Sequence, residues 1–328
     1  MLINYKPESR QSPIFILGIT PRSGTNFLQD LLVLHPHCQP GLAGEDFLTV
    51  HSDLLLKYVK SVSNEWKPHW KIKKYIDQPE QLVLQHLGEG LVSFLNLRVG
   101  PDVTTENETI LDQSPLKRLV SKTPSVEKLP NFFTLFPQVH LIILVRDGRA
   151  VVESAKSTFN WNTEVVIHKW ANAARTILEF ERQTSHSDYR YLIVRYEDVY
   201  QETEKELKRI FSFLDLDPDC YDFEKAASLP VRGSSELRRQ GKVHWNPVER
   251  PPDFDPLNRW SDWSQAQRRR FNWLAGEYLV YFGYCQPDEL KVSFFWRIWN
   301  FILDVKWLLR SLLARTKRFL MEKFAHQD

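Results

Sequence analysis

Cysteine is scarce in this sequence: Cys38, Cys220 and Cys285 are the three it has, far apart and with no C-x-x-C pair. That spacing excludes a disulfide framework and a thiolate zinc site, and a reducing, cytoplasmic compartment is the expectation. Charge of one sign is missing too. The 43 Lys and Arg against 41 Asp and Glu leave a net charge of +2, too even for a protein that coats nucleic acid. No run is long and apolar enough to span a bilayer, and the start, MLINYKPESRQ, offers only the short apolar stretch 13–18, so neither a secretory signal nor a spanning helix is expected. Glycine numbers 12 in 328 residues, so a glycine-bearing loop stands out. The remainder, 42% hydrophobic and 26% charged, excludes disorder, collagen and coiled coil and is enough to bury a sizeable α/β core.

Three nearly uninterrupted apolar runs, Pro13–Gly18, Leu141–Val145 and Tyr191–Val194, read as buried parallel strands, each followed by polar residues and then a helical pattern. After the first, Phe27, Leu28, Leu31, Leu32 and Leu34 share one helical face. Thr203 with Glu206 and Ser264 with Gln267 have capping-box spacing, and Gly283 closes the second of these helices. Residues 48–120 look mostly helical, and 233–260, rich in Pro, Arg and Trp, reads as a long functional loop. One domain over 1–290 is expected, then a tail over 291–328 in which eight Lys and Arg outnumber three Asp and Glu and aromatics are interleaved. That tail is either a terminal helix packed on the domain or on a second subunit, or an amphipathic helix on an anionic membrane surface.

The most informative segment runs from Gly18 to Asn26, between a strand and a helix. Backbone N–H groups in such a turn, with the positive end of the helix, hold an anion. Gly24 lets backbone approach a ligand closely, while Arg22, Ser23, Thr25 and Asn26 add charge and donors. A triphosphatase loop reads G-x-x-x-x-G-K-[ST]; here Thr25 replaces the lysine and no convincing magnesium carboxylate follows. The second segment is 145–154, VRDGRAVVES, where Arg146 ends a strand and Ser154 lies about two helical turns on. Both can face one phosphate at the carboxyl edge of a sheet. The alternative for Arg146 and Asp147 is a local ion pair capping the helix.

PRSGT after a strand, RDGRAVVES after a later strand and RYEDV at the end of a third resemble the sulfotransferase superfamily, in particular the tyrosylprotein sulfotransferases and their bacterial relatives, in order and approximate spacing over residues 13–285. The resemblance implies a P-loop-like three-layer α/β fold with a central parallel sheet, and 3′-phosphoadenosine 5′-phosphosulfate (PAPS) as co-substrate. It implies that Arg22, Ser23, Gly24, Thr25 and Asn26 hold the 5′-phosphosulfate, that Arg146 and Ser154 bind the 3′-phosphate, and that Tyr196 contacts the nucleotide. Gly44-Glu45-Asp46 resembles the element that supplies the catalytic base, and Lys122 resembles a lysine beside the transferred group. The segment before the acidic pair is about three residues longer than in the tyrosylprotein enzymes, so either Glu45 or Asp46 is the base, with Glu45 favoured. The closing Arg-Lys-Gly element appears only loosely, as Arg238 to Lys242.

The expected reaction is in-line sulfuryl transfer to a hydroxyl. Glu45 would take the acceptor's proton, and Lys122 and Arg22 would meet charge on the transferred group and the departing phosphate. His35 and His168 are alternative bases. This chemistry requires no metal. The acceptor class, whether small molecule, glycan, lipid or peptide, is left open. So are homodimerisation and peripheral membrane contact through the tail. A P-loop kinase or nucleotide hydrolase and a non-catalytic, membrane-docked nucleotide-binding protein are the competing readings.

Overall fold

A computed structural model describes residues 12–97, 117–234, 238–239, 242–243, 245–291 and 293–325. Its centre is a five-stranded sheet in the order β2-β3-β1-β4-β5, every neighbouring pair parallel. The strands are β1 (Ile14–Gly18), β2 (Cys38–Pro40), β3 (Arg118–Thr123), β4 (His140–Val145) and β5 (Tyr191–Arg195). β1, β3 and β4 are buried along their whole length, as parallel strands covered on both faces must be. Ile14 and Ile16 of β1 pack in a cluster with Leu28, Leu31 and Leu32 of the helix Thr25–Val33 and with Leu207, Ile210 and Phe211 of the helix Thr203–Leu214. The intervening Phe15 points the other way, onto Phe132 and Phe136 at ring-centroid distances of 5.5 and 5.0 Å.

The chain leaves β1 toward β2 and β3 on one side and returns to β4 on the other. Ligands of open α/β sheets bind at such a reversal, outside the carboxyl ends of the strands. Register levels those ends: Leu17 lies opposite Thr123 and Ile143, and Val145 lies opposite Arg195. The segments that follow β1, β4 and β5 therefore emerge side by side.

Two strands of this sheet are not among the three apolar runs. β2 is only three residues long, and β3, RLVSKT, has polar Arg118, Ser121 and Lys122 in a fully buried run, which hides it from an apolar pattern. Elsewhere in 48–120 the helices Ser52–Asn64 and Pro79–Leu95 are present. The box expected at Thr203 and Glu206 does not form. Thr203 Oγ1 donates instead to the Val199 carbonyl at 2.8 Å, and the helix start carries no side-chain cap. Within the 233–260 loop a small antiparallel ribbon pairs β6 (Arg238–Arg239) with β7 (Lys242–Val243).

The chain divides into two compact units, Met1–Ser261 and Asp262–Asp328. In the second, Ser264 and Gln267 form the reciprocal capping box of the helix Gln265–Tyr281, and Gly283, at φ 75°, ends it. A Cβ on Gly276 of that helix would come within 2.6 Å of Leu290, so the turn Pro287–Leu290 packs directly on its backbone. The helix Phe294–Ala325 follows. None of the described helices is long and apolar enough to cross a membrane.

Candidate active site

The loop from Ile19 to Gly24 folds back over the end of β1. A Cβ on Gly18 would sit 2.3 Å from Ser23 Oγ, and one on Gly24 would sit 2.3 Å from Cδ2 of Tyr196. Glycine is required at position 24 for a second reason, a φ of 95°. Gly24 is the N-cap of the helix Thr25–Val33 and no side chain caps it, so the first-turn amides are left without a side-chain acceptor. Arg22 is held at φ 78°, a left-handed conformation that costs a non-glycine residue about 1–2 kcal/mol. Ser23 is fully buried and its hydroxyl has no hydrogen-bond partner among the described residues. Such an orphaned donor fits a polar ligand.

Three guanidinium groups converge on this loop. Arg146, directly after β4, donates to the carbonyls of Arg22 at 2.8 Å and Pro256 at 2.5 Å, and lies 4.3 Å from the ring centroid of Tyr196. Arg22 Nε donates to Ser154 Oγ at 3.0 Å, and its Nη2 donates to the Gly233 carbonyl at 2.6 Å. Arg259 donates to the same Ser154 hydroxyl at 3.2 Å and to Ser234 Oγ at 3.0 Å. Among the described residues neither Arg22 nor Arg146 has an ion-pair partner. Burial, then the neighbouring charges of Arg146 and Arg259, push the pKa of Arg22 down to about 10. Like charges gathered on neutral acceptors create a strong demand for an anion. Asp147 does not supply one: it caps its own helix through Arg149 N at 2.8 Å and pairs with the Arg149 guanidinium at 2.7 Å.

On the β3 side of the cleft, Lys122 is buried and donates to the Gly44 carbonyl at 2.5 Å, with its Nζ 3.6 Å from Glu45 Oε1. Burial lowers its pKa below the ordinary lysine value, and Glu45 partly offsets that. Glu45 lines the cleft alongside Asn26, Lys122 and Arg232. Asp46 is turned away. Its carboxylate accepts from Ser121 Oγ at 2.5 Å, Thr123 Oγ1 at 2.7 Å and Leu48 N at 2.9 Å, which anchors the acidic segment to β3.

Of the residues expected at the site, Arg22, Gly24, Thr25, Asn26, Glu45, Arg146 and Tyr196 line one cleft, and Lys122 lines an adjoining pocket that shares Asn26 and Glu45 with it. Ser154 is reached from the cleft through Arg22. Arg238 and Lys242 stand on the β6–β7 ribbon, but their side chains lie outside the described residues. Neither alternative base borders the cleft: His35 is buried with Nε2 3.0 Å from the Asp217 carbonyl, and His168 lies 3.6 Å from Glu164. Arg259, Ser234 and Trp245 were found only as members of the 233–260 loop, and the bidentate pair of Arg232 with Asp30 was not anticipated.

A family model described as the sulfotransferase family matches residues 13–219, more than half of the chain. The chain belongs to the sulfotransferase family. It is 27% identical over 263 residues to protein-tyrosine sulfotransferase A of Caenorhabditis elegans, covering 77% of this chain and 62% of that one. It is 24% identical over 260 residues to protein-tyrosine sulfotransferase 1 of Danio rerio, covering 77% and 66%. The chain thus spans less than two thirds of the length of these relatives. Among solved structures, the sulfotransferase domain of the Synechococcus olefin synthase superposes with a TM-score of 0.45 at 22% identity, over 86% of this chain and 98% of that one. The relatives overturn the cytoplasmic placement, because protein-tyrosine sulfotransferases are Golgi enzymes. The scarcity of cysteine does not identify the compartment.

Proposed function

We propose that this sulfotransferase-family chain moves a sulfuryl group from PAPS to a hydroxyl of a protein or peptide acceptor. The observation that carries the reading is the convergence of Arg22 and Arg259 on Ser154, with Arg146 on the Arg22 carbonyl, beside the loop that buries the unpartnered hydroxyl of Ser23. Those residues fit a doubly phosphorylated nucleotide: neutral acceptors hold the guanidiniums in place and leave their charge to an incoming anion. When bound, PAPS supplies the sulfuryl group and departs as the nucleotide bisphosphate.

Glu45 is the base in this reading. It is the acidic side chain of the pair that borders the cleft, and Lys122 Nζ lies 3.6 Å from its Oε1. Lys122 also places a desolvated cation where negative charge grows during transfer, which is worth more in a dry site than in water. Asp46 is a positioning residue, holding the Gly44–Phe47 segment to the hydroxyls of β3. Phe47, Phe159, Trp161 and Trp245 line the mouth and would shield the acceptor from water.

Calorimetry with 3′-phosphoadenosine 5′-phosphate and with ATP tests the nucleotide class. Tight binding of the bisphosphate, weakened by Arg146→Ala, is expected. ATP bound as tightly in the presence of magnesium, and hydrolysed, overturns the reading in favour of a P-loop kinase or hydrolase. Radiolabelled sulfate transfer to tyrosine peptides, glycans, lipids and small phenols then tests the acceptor class.

A further inference from the structure

The helix Phe294–Ala325 has one face committed to its own unit and another left bare. On the committed face, Arg270 of the helix Gln265–Tyr281 donates to Asn300 Oδ1 at 3.2 Å and pairs with Asp304 at 2.7 Å. Trp273 Nε1 donates to Asp304 at 2.8 Å, and the Arg269 guanidinium lies 4.8 Å from the ring centroid of Trp296. On the bare face stand Ile298, Phe301, Val305, Leu308, Leu309 and Leu312, each at least 42% exposed. At 3.6 residues per turn they fall within an arc of about 100°, well away from Asn300 and Trp296. A stripe this long and this apolar is not ordinary surface.

The charges beside the stripe decide its partner. Arg297 borders it on one edge, and Lys306 and Arg310 lie beyond the other, all exposed. Among the described side chains of this helix the acid is Asp304, already bound to Arg270. The sequence continues with Arg315, Lys317 and Arg318. Among the described side chains, a second copy of this helix would bring cationic borders against cationic borders with no uncommitted acid between them. A sheet of anionic headgroups over hydrocarbon matches both features at once, with apolar side chains sinking and long basic ones reaching back to phosphate.

We propose that the face from Ile298 to Leu312 docks this chain in the plane of an anionic lipid surface. The inference is independent of the nucleotide reading. Its test is co-sedimentation of the full chain with vesicles of phosphatidylcholine, with and without phosphatidylserine, at low and high salt. Binding to the mixed vesicles at least about tenfold stronger than to the neutral ones, and weakened by salt, is expected. Val305→Asp with Leu309→Asp should abolish it, and Lys306→Ala with Arg310→Ala should lower the partition coefficient roughly tenfold or more. Far-UV circular dichroism checks that both variants keep their helix. No vesicle binding by the unaltered chain, equal binding to neutral vesicles, or a concentration-dependent dimer in its place that Val305→Asp with Leu309→Asp dissolves each overturns the proposal.

Discussion

The guanidinium of Arg146 donates a hydrogen bond to the backbone carbonyl of Arg22 at 2.8 Å, across the line where the sheet reverses its strand order. Residues 124 positions apart thus share one crevice, the loop after β1 meeting the strand end of β4. The same contact holds Arg22 in its left-handed conformation, so Arg146 acts both as a charge and as a support for the loop that carries Ser23 and Gly24. Backbone strain at Arg22 is the kind of cost retained where a ligand is gripped.

Arg146→Ala therefore removes a cation and a loop anchor together. Loss of charge-assisted hydrogen bonds should weaken binding of 3′-phosphoadenosine 5′-phosphate by about 10- to 100-fold. Titration calorimetry reads this directly, and an unchanged dissociation constant would remove Arg146 from the site.

The two adjacent acids should respond in opposite ways. Glu45→Gln keeps size and burial but cannot accept a proton, so turnover should fall by at least about 100-fold while the melting midpoint stays put. Asp46→Asn puts an amide donor against two hydroxyls and the Leu48 amide, costing about 1–3 kcal/mol of stability. Parallel rate and melting measurements on both variants separate base from anchor. Full turnover in Glu45→Gln would reject the assignment.

How much of this was readable from the sequence depends on whether a feature is local in the chain. The loop that carries Ser23, Gly24 and Thr25 starts where an apolar run ends, and Arg146 and Ser154 share a helical spacing, so the candidate anion site was visible as two separate pieces. What joins them was not. Arg259 reaches Ser154 from 105 residues away, in a loop with no periodicity. β3 was invisible because its polar residues are satisfied only by tertiary partners: Arg118 donates to Ser12 O at 2.5 Å, to Leu214 O and to His140 Nδ1 at 2.7 Å. Between Glu45 and Asp46 the sequence favoured Glu45 only by resemblance; the tie that holds Asp46 to the hydroxyls of Ser121 and Thr123, at alternate positions of that strand, is tertiary and was not legible.

The imidazole of His140 is fully buried, and burial, with Arg118 and Arg190 nearby, pushes its pKa down to about 3 from an ordinary 6.5. Asp215 at 3.8 Å pulls the other way and does not prevail. The unfolded chain takes up this proton near pH 6.5 and the folded one only near 3, so stability supplied by neutral His140 is complete above pH 6.5 and is lost as pH falls toward 3. His140→Gln lacks that term. Denaturant midpoints for the two proteins should converge as pH falls through this window, and a constant difference would show that His140 titrates normally.

Lys122 runs in the opposite sense along the pH axis. Its folded pKa lies below 10.5 because burial disfavours the ammonium, so the unfolded chain holds the proton longer as pH rises. Stability therefore increases through the window from the folded value up to 10.5. Lys122→Met has no such gain, and the difference in unfolding free energy between the two proteins should shift toward the native lysine as pH is raised through that range. Taking the difference cancels the other alkaline groups, including the Cys38 thiol that burial raises to about 12. A flat difference would mean that Lys122 is solvated in solution, and a desolvated cation could then not be what meets the developing charge.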